Sequence, residues 1–165
     1  MILHVRVVTL RILCVAVLAC SGCKKNDPAP ATTTAVPAKH EHHPPHGGTP
    51  VVLGEEVYHL EFVLDAASDK MQVYVLDGEM ENFIRSAAPS FEVVASVQGE
   101  KRTLLFKAVA DAATGEKVGD TALFEAQADW LKTTKEFDGV LTEIAIRGST
   151  FSGVKFNFPH GNDHD

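Results

Sequence analysis

Cysteine is scarce: the chain has three, all within its first 23 residues. The part after Cys23 therefore has no disulfide and no thiolate zinc site, so packing alone holds its core. Any metal chemistry there falls to imidazole and carboxylate. Long apolar runs are lacking as well. The unbroken stretch from Ile12 to Ala19 is too short to span a bilayer as a permanent helix. No GxSxG elbow, phosphate-binding Gly-Lys loop or catalytic cysteine occurs. Basic patches with interleaved aromatics are missing too, and the formal net charge is −7. An acidic surface of this kind opposes nucleic acid and anionic lipid and mildly concentrates cations.

What is present begins with an export signal. Residues 1–23 read MILHVRVVTLRILCVAVLACSGC, with Arg6 and Arg11 beside a short apolar core and small residues after it. Val17-Leu18-Ala19-Cys20 resembles a bacterial lipobox, whose cysteine is lipidated and becomes the first mature residue. Gly22-Cys23 is the alternative, with Cys20 then standing where Leu is usual. The expectation is a signal peptide over 1–19 and a protein outside the cytoplasm, tethered to a membrane by acyl chains. The absence of Asp after Cys20 favours the outer membrane. Of the 15 Lys plus Arg, loss of Arg6 and Arg11 leaves 13 against 22 Asp plus Glu, a mature charge of −9.

Residues 20–50 form the next segment. Six prolines fall between residues 24 and 50, alternating with Ala, Thr and His. Such a composition buries too little apolar surface to offset its ordering entropy and predicts an extended, disordered tether. From Val51 the texture changes to short alternating apolar runs, with turn residues at roughly 8–12-residue spacing. The prediction is an all-β fold, an Ig-like β-sandwich of about seven to nine strands over residues 51–158. A polar His/Asp tail follows at 159–165. Strands are expected near Pro50–Leu53, Glu56–Leu64, Lys70–Leu76, Asn82–Ser86, Ser90–Val97, Arg102–Val109, Ala122–Ala126, Val140–Arg147 and Phe151–Phe158. Asp77-Gly78 and Gln98-Gly99 read as hairpin turns. DAASDK at 65–70 and DAATGEK at 111–117 read as one loop chemistry used twice. Glu125–Lys132 has helix-forming composition, so one short helical connector is expected, with Asp129 as its cap and Trp130 and Leu131 covering the core.

Histidine carries the chemistry. Four of the eight lie in Lys39–Gly48, KHEHHPPHGG. His40-Glu41-His42-His43 opens like the HExxH zinc-protease motif, but Pro44 stands where the second His must be, and Pro44-Pro45 excludes the helix. No enzyme activity is expected. Clustered imidazole suits Cu(II), Zn(II) and Ni(II). In Val57–Leu64, alternation sends Tyr58, Leu60, Phe62 and Leu64 to one face and His59 with Glu61 to the other. His160 and His164 follow the last apolar strand. The expected core ligands are His46, His59 and His160, with Glu61 as a carboxylate or supporting partner. His40, His42 and His43 form a capture arm.

The combination HEHHPPHGGTPVVLGEEVYHLEFVLD, VYVLDGEMENF and GVLTEIAIRGSTFSGVKFNFPHGNDH resembles a group of uncharacterised His-rich lipoproteins of planctomycete-type bacteria. The shared pattern is PHGG, a YHxE strand, a VYxLDG hairpin and a closing FxGxxF strand followed by histidines. Comparable HGG-plus-β segments resemble accessory parts of heavy-metal efflux systems. The resemblance implies handling of a divalent transition metal (Cu, Zn or Ni) and an efflux or envelope protein as partner. Two expectations follow. One is a lipid-anchored metal-binding module for buffering or delivery. The other is a non-catalytic Ig-like envelope module that binds a protein, its histidines being incidental linker chemistry.

Overall fold

The computed structural model describes residues 42–163. The expected signal segment, Cys20, Cys23, the linker up to residue 41 with His40, and residues 164–165 lie outside that range. Among the described residues no helix is long and apolar enough to cross a membrane.

The chain is all-β. Among the described residues eight strands follow in order: β1 Thr49–Leu53, β2 Tyr58–Asp65, β3 Lys70–Asp77, β4 Ser90–Val97, β5 Glu100–Ala108, β6 Leu123–Gln127, β7 Phe137–Ile146 and β8 Ser149–Phe158. All pairings are antiparallel, and one sheet carries them in the order β1-β2-β3-β6-β5-β4-β7-β8. β4 shows the logic of the alternation: Phe91, Val93, Ala95 and Val97 are buried while Ser90, Glu92 and Ser96 face solvent. Two hairpins close on two-residue loops with both residues left-handed. These are Gln98-Gly99 (φ 52° and 87°) and Arg147-Gly148 (φ 47° and 87°), the type I′ geometry that matches strand twist.

Three local expectations change. The Asn82–Ser86 strand is reduced to isolated bridges, Phe83 with Leu76 and Ser86 with Thr121. The edge of β3 is already taken by β6 up to Tyr74, and Ala122 accepts from the Val75 amide, so no ladder has room there. Asp77-Gly78 opens a capped loop, with the Asp77 carboxylate accepting from the Glu81 and Asn82 amides and the Asn82 side chain. The short helical connector is present as expected, a single 3-10 turn over Asp129–Lys132, and only its cap differs. Ala128 occupies its N-cap without a side-chain bond, so Asp129 lies in the first turn and is not the cap. Leu131 is buried and Trp130 meets Phe137 edge-on, covering the core as expected. The repeated loops share one device: Asp65 and Asp111 each accept the amide two residues on, from Ala67 and Ala113.

The sheet folds back on itself around a phenylalanine cluster. Phe62 of β2 meets Phe106 of β5 at 5.7 Å and Phe156 of β8 at 4.6 Å, so strands far apart in sheet order face each other across one interior. Gly139 makes room for this packing, since a Cβ there would lie 2.5 Å from the Phe156 ring. Closure between β8 and β1 uses the C-terminal segment. Asn162 Oδ1 accepts from the Val52 amide at 2.7 Å, and its Nδ2 donates to Val52 O at 3.1 Å. The Asn side chain imitates a strand's backbone along the β1 edge.

Candidate metal site

Alternation on β2 sends Leu60 and Phe62 inward and His59 and Glu61 outward, yet all four have no exposed surface. The cover over the outer pair is the Pro/His/Gly segment of residues 42–48. Pro44–Gly47 forms a β-turn closed by the Gly47 amide on Pro44 O at 3.0 Å, with Pro45 in the position whose φ it pre-sets. The chain then lies so close to β2 that a Cβ on Gly48 would meet Phe62 O at 2.6 Å and Glu61 Cγ at 2.8 Å. Only glycine fits there. The folded part thus begins earlier than Val51, because backbone groups of the segment find acceptors on the sheet.

Glu61 supplies those acceptors. Its Oε1 accepts from the His46 amide at 2.7 Å and the Gly48 amide at 2.9 Å, and its Oε2 accepts from His46 Nδ1 at 2.8 Å. The His46 ring also stacks on Tyr74 at 3.8 Å between centroids. Burial first, then the Glu61 charge, holds the Tyr74 phenol above its ordinary pKa. Both carboxylate oxygens of Glu61 are therefore engaged by the segment, which makes it a clamp.

His59 lies one pleat repeat away under His42. Their ring centroids are 4.4 Å apart and tilted by 49°. His59 Nδ1 is 3.2 Å from Asp77 O, and a carbonyl oxygen only accepts, so Nδ1 carries the proton and Nε2 presents its lone pair. Among the described residues, that Nε2 is buried with no hydrogen-bond partner, and so is Nε2 of His42. Burial holds the His59 pKa below the ordinary 6.5; the Asp77 bond opposes this, His42 adds to it, and the Glu56 and Asp163 charges oppose it.

The expected ligands are thus distributed differently. His59 meets His42 of the capture arm, while His46 is held by Glu61. His43 and His160 are exposed and make no ring contact or hydrogen bond with His46 or His59 among the described residues. No group of three His, Cys, Asp or Glu side chains forms a ready metal cluster among the described residues. Residues 42–48 set His46 on Glu61 and His42 beside His59. Tyr74 was legible in principle: the Asp65–Lys70 hairpin sets the register that pairs Glu61 with Tyr74. The Asp77 carbonyl carries no sequence signal, because every residue has one.

Beside His46 a cleft of about 550 Å³ is lined by Tyr74, Phe83, Asn82, Arg85 and Glu116. Arg85 in this cleft donates to Asp120 at 3.1 Å and to Thr114 O at 2.8 Å. Comparison with known proteins finds no family model, curated protein or solved structure that matches this chain.

Proposed function

We propose that this chain is an exported, lipid-anchored protein that binds a divalent transition metal through His42 and His59, for buffering or delivery. The observation that carries the reading is that both rings, with centroids 4.4 Å apart, hold a buried Nε2 that has no hydrogen-bond partner among the described residues. A buried polar atom without a partner costs about 1–3 kcal/mol, and two on neighbouring rings are a standing cost that a shared cation would remove. The Nδ1 bond to Asp77 O is the kind of contact that fixes tautomer and ring direction in metal-ligating histidines. The lowered pKa of His59 keeps its imidazole neutral, and so able to coordinate, at neutral pH.

His42 and His59 would hold the ion through imidazole nitrogen, a donor that suits Zn(II), Cu(II) and Ni(II) alike. Two imidazoles leave positions for water or carboxylate, and the charges of Glu56 and Asp163 already act on His59. His40 and His43 would raise the local ligand concentration.

Calorimetric titration of the tag-free full chain in detergent, with Zn(II) and then Cu(II), tests the reading. The expected result is one site of micromolar affinity or tighter, lost in both His42→Ala and His59→Ala. Binding indifferent to His59→Ala, or none, overturns it and favours an envelope protein-interaction module with incidental histidines.

A further inference from the structure

We infer that Glu61 is the positioning residue of this site, and that metal binding and docking of residues 42–48 onto β2 are a single linked equilibrium. The inference rests on the reading of His42 and His59 as ligands.

Glu61 is wholly buried, and a buried carboxylate is costly unless its lone pairs are satisfied. Among the described residues, the hydrogen bonds to this carboxylate come from one short stretch: the His46 amide, the His46 ring and the Gly48 amide. The carboxylate therefore serves the segment. Gly48 is confined in the same way, with Phe62 O and the Glu61 and Val63 side chains where a Cβ would sit. His42, by contrast, makes no hydrogen bond among the described residues, and its ring is held by packing on His59. Its direction is set four residues away. The Pro44–Gly47 turn, stiffened by two prolines, passes the anchor at Glu61 on to the ring over His59.

Two attachments on one short segment must help each other. Docking at Glu61 brings His42 to His59 and lowers the ordering cost of binding an ion. By linkage, an ion that holds His42 on His59 strengthens docking by the same factor.

The test uses the full chain in detergent, zinc as the probe, and two substitutions remote from the ion. Glu61→Gln removes the charge. Gly48→Ala alters no ionisable group and blocks the close approach. Each is expected to weaken Zn(II) binding by about 10–100-fold while leaving one site that His59→Ala still abolishes. Hydrogen exchange supplies an independent reading: zinc should slow exchange of the His46 and Gly48 amides in the unsubstituted chain. If both variants bind zinc as tightly as the unsubstituted chain, the site stands and the positioning role falls. Zinc binding that leaves those two amides unchanged overturns the linkage. Should Glu61→Gln fail to fold, Gly48→Ala and the exchange measurement decide. An unsubstituted chain whose zinc binding ignores His59→Ala removes the site itself, and this inference with it.

Discussion

At the scale of single residues, His59 links stability to acidity. Its folded pKa lies below the 6.5 expected for the unfolded chain, so between those values the unfolded state binds more protons than the folded one. Stability then rises with pH across that window and is lost as pH falls from 6.5 toward the folded value. Denaturant unfolding in the presence of a chelator, at about pH 7.5 and about pH 5.5, should show this loss. His59→Leu should flatten that part of the slope. Glu61 carries a lesson of the same scale. The sequence marks it as a carboxylate on the same face as His59, which reads as a ligand or as a supporting partner. The structure turns it into an acceptor for backbone amides, a role that depends on where the chain returns in space.

At the scale of elements, strands were legible wherever alternation was clean and a turn was explicit. Ser90–Val97 was expected with the ends it has, because Gln98-Gly99 stops it and each second residue is apolar. β2 begins at Tyr58, later than the expected Glu56, because Glu56 adopts φ 58° inside a turn, a conformation that its residue type does not announce. The Asn82–Ser86 run had strand composition but only the Leu76 end of the β3 edge left to pair with. Composition cannot see an occupied neighbour. The two-residue hairpins invite a direct check. Gln98→Asn, placing Asn-Gly in a type I′ turn, should stabilise by about 0.5 kcal/mol. Gly148→Ala, at φ 87°, should destabilise by about 1 kcal/mol or more. Thermal unfolding of the two variants beside the unsubstituted chain measures both.

At the scale of the whole molecule, closure depends on the last residues described. Residues 159–165 have the composition of a polar His/Asp tail, yet Asn162 holds both backbone groups of Val52, and Gly161 lies so close to β1 that a Cβ would fall 2.3 Å from Pro50 O. Asn162→Ala strands a donor and an acceptor on the edge of β1, at a cost of about 1–3 kcal/mol. Denaturant unfolding should register that loss. Light scattering should register self-association through the uncovered strand. The same turn brings the Asp163 charge into the field of His59, so a chain ending before Asn162 should also bind Zn(II) more weakly by calorimetry.

The sequence by itself determined the class of this domain. Period-two alternation, turn residues and the absence of cysteine after Cys23 leave a disulfide-free all-β core, because each of those signals is local and acts through a few neighbouring residues. It also determined that His59 and Glu61 share a face, since strand geometry alone requires it. Only the tertiary structure decided what covers that face. Which imidazole meets His59, and whether Glu61 points at an ion or at amides, depends on contacts between residues 42–48 and a strand whose own position is set by the fold. Docking energies of that kind are spread over a glycine with no room for a side chain, two amides and a stacked ring, and none of these is visible until the chain is closed.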